Sequence, residues 1–258
     1  MAGFTETRHD VNGIDTAVLT AGEGEPLVYF HGAGTAFGFD QLLPLAGRFR
    51  LIVPYHPGFG ASADDPSVDS LHDYLLHYLD LFDQLGVDEL ALAGESLGGC
   101  LAAWFAIEQQ SRVRRLVLLS PFGLRVREHP ATDFFSIPDE EVPAHLVADM
   151  SLFAGAPVPP PPEFLADRYR EATSFARVAW KSPYDRKLTK WLHRISAPTL
   201  LLWGEADRLH PVELAEHWAE LIPNAEVRTF PGVGHIPVVE TREAVDAIAD
   251  FVGAGVAA

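Results

Sequence analysis

The sequence predicts an α/β fold, with a mostly parallel central sheet covered by helices on both faces and a helical insertion. Three observations predict it. Short apolar runs alternate with helix-period stretches over most of the chain, as in βα units whose sheet is buried on both sides. The turn Gly94-Glu95-Ser96-Leu97-Gly98-Gly99 stands between an apolar run at residues 90–93 and a helical stretch at residues 100–107. From residue 121 to residue 195 the alternation lapses into prolines and helix-period stretches, and it then resumes.

The first strands lie within residues 4–20, where Asn12-Gly13 marks a hairpin of two antiparallel edge strands. Residues 27–30 form a continuous apolar strand that runs into His31-Gly32-Ala33-Gly34, a small glycine-rich loop able to turn backbone N–H groups towards a neighbouring turn. Residues 39–49 suit a short helix and 50–54 a strand, ending in an ordered Pro/Gly loop, Tyr55 to Ser62. Residues 69–85 place Leu71, Leu75, Tyr78, Phe82 and Leu85 on one face and stop at Gly86, so an amphipathic helix is expected with His72 and His77 both in solvent.

Residues 113–119 are another buried strand. Within the insertion, helical spacing recurs at 139–153, 162–181 and 185–195, and the run Pro157-Val158-Pro159-Pro160-Pro161-Pro162 must be extended. The domain reading is a core of residues 1–120 and 196–258 with a helical cap at 121–195. After it come a strand at 198–203, the loop Gly204-Glu205-Ala206-Asp207, a helix to Leu221, a strand at 226–230, the loop Gly232-Val233-Gly234-His235 and a closing helix. Ser96, Asp207 and His235 each follow a strand, so all three belong at the carboxyl edge of the sheet, where ligands of such folds bind.

Composition narrows the function classes. The 258 residues suit one sizeable domain with an insertion, and 48% hydrophobic with 21% charged residues is ordinary globular composition. With 36 acidic against 19 basic residues the formal charge is −17, a field that repels phosphates and anionic lipid, so neither nucleic acid nor a membrane is expected as a partner. Cys100 is the one cysteine, expected in the core, and the eleven histidines contain no H-x-x-x-H or H-E-x-x-H spacing. No metal and no cofactor are expected. No signal-like segment or apolar run of about 20 residues is seen, which reads as cytoplasmic, and a monomer or homodimer is expected.

A serine hydroxyl attacks only if a base takes its proton. His235 is the candidate base, and Asp207 is the candidate group to hold its tautomer and stabilise its cation. With these residues in the order serine, acid, histidine, the chain resembles the α/β-hydrolase superfamily, in its cap-bearing branch, from the His31-Gly32 loop through residues 94–99 and Trp203-Gly204-Glu205-Ala206-Asp207 to Gly234-His235. The resemblance implies Ser96 as nucleophile, His235 as base, Asp207 as orienting acid, and an oxyanion hole from the N–H groups of Leu97 and Ala33, with Gly34 in reserve. The loop at Tyr55-His56 departs from the family, in which an aspartate is common.

A serine nucleophile separates the chain from the dehalogenases and epoxide hydrolases of this fold, which attack with a carboxylate. The leading reading is hydrolysis of a small, largely apolar carboxylic ester, thioester or lactone through an acyl-enzyme. Carbon–carbon bond hydrolysis of the meta-cleavage type is the alternative, and a ligand receptor or a cofactor-free lyase or oxygenase on the same fold is a reading from another class. The substrate-binding candidates are Gly34, Glu95, Phe122, Phe134, Phe153, Trp180 and Ile236, and Arg168, Arg177 and Lys181 are cations that could meet a substrate carboxylate.

Overall fold

A computed structural model of the chain describes residues 3–182 and 184–254. Its framework is an eight-stranded sheet of β1 (Thr5–Val11), β2 (Ile14–Ala21), β3 (Pro26–Phe30), β4 (Arg50–Pro54), β5 (Leu90–Glu95), β6 (Val113–Leu119), β7 (Thr199–Gly204) and β8 (Ala225–Phe230). The strand order is β1-β2-β4-β3-β5-β6-β7-β8. The β1–β2 and β2–β4 pairs are antiparallel and all the others are parallel. Asn12-Gly13 makes the first hairpin, but of its two strands β1 alone is at an edge of the sheet; β2 pairs on its other side with β4.

Both faces of the sheet are covered. Leu90, Leu92, Leu116, Leu118, Leu201 and Trp203 enter one core with α1 (Leu71–Leu85), α2 (Leu97–Glu108) and α6 (Glu213–Leu221). Their neighbours Ala91, Ala93, Val117, Leu119, Leu200 and Leu202 enter the other, with α8 (Arg242–Gly253) and a 3₁₀ segment at Asp40–Gly47. This period-two division explains why the strands read as unbroken apolar runs.

α1 starts at a Ser70–Asp73 capping box and ends at Gly86, whose φ of 64° is the left-handed turn that a glycine takes without a Cβ penalty. His77 corrects the expectation of two solvated histidines. It is 5% exposed and hydrogen-bonded to Thr16 Oγ1 at 3.1 Å, because the helix is covered on that side by β2. The expected helix at 39–49 is the 3₁₀ segment, with Pro44 inside it. Cys100 is buried.

Between β6 and β7 lie α3 (Val142–Leu146), α4 (Pro162–Ala179) and α5 (Leu188–Trp191), with shorter 3₁₀ turns. The periodic stretch at 139–153 is therefore two short pieces, α3 and a 3₁₀ turn at Met150–Phe153, and not one helix. α4 is bound to the loops after β3 and β4. Arg177 forks onto both oxygens of Asp64 at 2.7 Å, Arg170 donates to the Gly60 carbonyl at 2.6 Å, and Glu171 accepts from the Gly60 N–H at 3.1 Å. The closing helix is also split, into α7 (Pro237–Glu240) and α8. No helix of the described residues is long and apolar enough to cross a membrane.

Candidate active site

Ser96 joins β5 to α2 at φ 52°, ψ −114°, a conformation that costs a non-glycine residue about 1–3 kcal/mol and persists only where the surroundings enforce it. Three backbone bonds enforce it. Ser96 donates to the Leu119 carbonyl at 2.9 Å, and its own carbonyl accepts from Phe122 at 2.8 Å and Cys100 at 3.1 Å. Gly98 allows α2 to start this close to the sheet: a Cβ there would lie 2.2 Å from the Phe30 carbonyl oxygen. The first N–H groups of α2, beginning at Leu97, have no carbonyl one turn back to satisfy them.

The loop after β3 lies against this turn, since a Cβ on Gly32 would sit 3.4 Å from Ser96 Cβ. His31 holds the loop from inside. Its Nδ1–H donates to the Gly32 carbonyl at 2.7 Å, and its Nε2 accepts the His56 N–H at 3.0 Å. The His56 ring returns a bond from Nε2 to the His31 carbonyl at 2.7 Å and accepts from Tyr78 at Nδ1. So where the family commonly carries an aspartate, a pair of neutral histidines, their rings tilted by 34° with centroids 3.7 Å apart, braces the loop. Burial lowers the His31 pKa to about 4, opposed in part by the Gly32 carbonyl, and lowers that of His56 well below its ordinary value.

Asp207 and His235 meet from the loops after β7 and β8. Asp207 Oδ2 accepts from His235 Nδ1 at 2.9 Å, while Oδ1 accepts the N–H groups of Leu209 at 2.8 Å and His210 at 2.9 Å. Burial opposes charge on both, but their mutual attraction and hydrogen bond prevail, lowering the Asp207 pKa and raising that of His235. His235 Nε2, the nitrogen away from Asp207, is buried with no hydrogen-bond partner among the described residues. His210 stands edge-on to the His235 ring at 4.8 Å. It is kept neutral by burial and by His235, its pKa near 4, and is anchored through Nδ1 to the Ser120 carbonyl at 2.8 Å. From the sequence, the His31 loop and the departure at His56 are named but neither side chain is given a role, and His210 is passed over, because one histidine in a loop gives no periodic signal.

The structure sorts the expected substrate-binding residues. Gly34 lies under the Arg168 guanidinium, where a Cβ would come within 2.8 Å of Nη1. Phe122 is buried beside Ser96 and packs edge-on to Phe175. Phe134 joins the same aromatic group through Phe175, and Phe153 packs on Phe37 at 5.3 Å. The other three candidates make different contacts. Glu95 turns inward, accepting from Tyr29 Oη at 2.8 Å, with burial lifting its pKa to about 7. Ile236 joins the hydrophobic core on the α8 face, and Trp180 is 69% exposed at the rim of the aromatic group. Of the three cations, Arg177 is consumed by Asp64, and Arg168 pairs with Glu171 but keeps its Nε unpartnered in a buried position.

Residues 25–241 match the family model for the alpha/beta hydrolase fold. The chain belongs to the α/β-hydrolase family. Among similar proteins, 2-hydroxy-6-oxo-2,4-heptadienoate hydrolase of Pseudomonas putida is 27% identical over 266 residues, covering 94% of each chain. Two solved α/β structures share the fold. A serine hydrolase from the hydrocarbon-degrading bacterium Cycloclasticus zankles has a TM-score of 0.82 and 19% identity, with 99% of this chain and 100% of that one covered. A thermophilic esterase from Thermogutta terrifontis has a TM-score of 0.75 and 24% identity, with 96% of this chain and 98% of that one covered.

Proposed function

We propose that this α/β-hydrolase is a serine hydrolase that cleaves a small, largely apolar carboxylic ester, thioester or lactone through an acyl-enzyme on Ser96. The observation that carries this is the buried Asp207–His235 pair, with one imidazole nitrogen bonded to the carboxylate and the other unpartnered, on the sheet edge that also bears Ser96.

In this reading His235 Nε2 takes the Ser96 proton as the oxygen attacks the substrate carbonyl, and Asp207 stabilises the imidazolium that forms. The N–H groups of Leu97 and Ala33, with Gly34 in reserve, receive the oxyanion, and loss of one such donor costs about 3–4 kcal/mol of barrier. The imidazolium protonates the leaving alcohol, and a water activated by the same nitrogen then releases the acid.

A second reading, hydrolysis of a carbon–carbon bond beside a ketone, is favoured by Arg168. Its guanidinium, beside the loop after β3, suits a carboxylate at one end of a substrate, and a dienoate named for the Pseudomonas putida relative bears one.

The two readings part on substrates. Wild type, Ser96→Ala and Arg168→Gln are assayed with 4-nitrophenyl butyrate and with 2-hydroxy-6-oxohepta-2,4-dienoate. The ester reading expects ester turnover that falls by about 10³-fold or more in Ser96→Ala and changes little in Arg168→Gln. Dienoate cleavage that exceeds ester turnover and drops in Arg168→Gln establishes the second reading, and Ser96→Ala with wild-type turnover of both overturns the two together.

A further inference from the structure

One carboxylate outside the triad joins the insertion to the loop that carries His235. Glu240, the last residue of α7, accepts the Gly234 N–H on Oε1 at 2.6 Å, and the N–H groups of Ala148 and Asp149 on Oε2 at 2.7 Å and 3.0 Å. A fourth bond runs beside these three: the His235 N–H donates to the Leu146 carbonyl, the last residue of α3, at 3.0 Å. The two segments touch over their backbones, since a Cβ on Gly234 would lie 2.7 Å from the Ala148 nitrogen and 3.0 Å from the Val147 carbonyl carbon. Val147 between them is 2% exposed. Thus the residue before His235, and His235 itself, are both held by the 146–149 segment.

We propose that Glu240 is a positioning residue for the catalytic base, clamping the 146–149 segment onto the His235 loop so that the imidazole stays against Asp207 while the insertion is seated. The inference rests on the reading of His235 as the base. The loop that carries His235 is tied to the loop after β7 by the Ala206 N–H on the Val233 carbonyl at 2.8 Å, and the Leu146 and Glu240 bonds tie it to the 146–149 segment at the two residues nearest the ring. A displacement of about 1 Å at a catalytic group lowers rate by up to about 10²-fold, so bonds made at Gly234 and at His235 itself bear on the position of the imidazole. Asp207 and His210 from the loop after β7 touch the His235 ring, and the charges of Glu95, at the end of β5, and of Glu240 also favour its protonated form. Removing the Glu240 charge therefore also makes the imidazole easier to deprotonate.

Ala148 and Asp149 are exposed, so water can replace Glu240 at their N–H groups and the fold tolerates its loss. The test measures the rate at which a fluorophosphonate modifies Ser96, from pH 5 to pH 9, in wild type, Glu240→Gln and Glu240→Ala. Thermal melting and hydrogen exchange of the 146–149 and 234–235 amides are followed alongside. The expected result is labelling slowed by about tenfold or more in Glu240→Ala at pH 8 and by less in Glu240→Gln, which keeps one acceptor. Both variants show a lower acid midpoint and faster exchange at residues 234 and 235. Faster exchange at 148 and 149 with wild-type labelling and midpoint overturns the proposal, leaving the clamp structural only. A folded wild type that is not labelled at all overturns instead the reading of Ser96 and His235 on which it rests.

Discussion

Thr35 Oγ1 donates to Glu171 Oε1 at 2.5 Å, joining the loop after β3 to the middle of α4. Glu171 is 1% exposed, and it also accepts the N–H groups of Thr35 at 3.2 Å and Gly60 at 3.1 Å and pairs with Arg168. This one buried carboxylate therefore fastens the loops after β3 and β4 to α4. Glu171→Ala leaves those donors and a half-buried guanidinium without a partner, which costs about 3 kcal/mol or more. The melting temperature is expected to fall by at least about 6 °C, measured by circular dichroism. An unchanged melting curve contradicts the assignment of Glu171 as the fastening.

The start of α2 makes a paired prediction. Gly98→Ala drives a methyl group into the carbonyls of Phe30 and His31, 2.2 Å and 2.4 Å away, with no side chain to yield. It is expected to cost about 3 kcal/mol or more and to reduce the soluble yield. Gly47→Ala, where a Cβ meets nothing within 4 Å, is expected to leave the denaturant midpoint unchanged or slightly raised. Equal midpoints for the two variants contradict the steric account of the turn.

Buried histidines set the acid limit of stability. Burial holds the pKa of His31, His77 and His210 near 4 and that of His56 well below its ordinary value, against 6.5 in the unfolded chain. A depressed pKa means that stability is present above 6.5 and is lost as pH falls towards 4, because the unfolded chain takes up protons that the folded one excludes. Each of the three groups near 4 forfeits up to about 3 kcal/mol over that window, and His56 acts in the same direction. His235 runs the other way: its pKa is raised, so its contribution is present below 6.5 and lost as pH rises through its folded value. The four outweigh the one, and the melting temperature is expected to drop by at least about 10 °C between pH 7 and pH 4.5. A flat profile contradicts the neutral, buried state of the four.

In the proposed mechanism the same raised pKa sets the lower limb of the activity profile. His235 works as a base only when neutral, so ester turnover is expected to fall with acid and to reach its half-point above pH 6.5. Rates of 4-nitrophenyl butyrate hydrolysis from pH 5 to pH 9 measure this. A profile flat across that range contradicts His235 as the base.

The sheet and the order of the three candidate residues were legible because they rest on local signals. Apolar runs such as residues 200–203 are buried on both faces, and Ser96, Asp207 and His235 each stand in a glycine-bearing loop after a strand. What was not legible depends on partners distant in sequence. His77 lies on what reads as a polar helix face until β2 covers it. Trp180 looks like a lid aromatic yet ends up exposed, while Glu171 and Glu240 look like ordinary surface acids on helices and instead bind backbone N–H groups from another part of the chain. Val147 still donates to the Pro143 carbonyl one turn back, but the helical period at 139–153 breaks after it because the N–H groups of Ala148 and Asp149 go to Glu240 of α7 rather than to their own turn.

The most direct measurement is intact mass after treatment with a fluorophosphonate, on wild type, Ser96→Ala and His235→Ala. One adduct per chain on wild type, none on Ser96→Ala and a rate lowered by about 10³-fold or more on His235→Ala is the predicted result. An adduct that persists in Ser96→Ala, or a folded wild type that takes none, contradicts an activated Ser96.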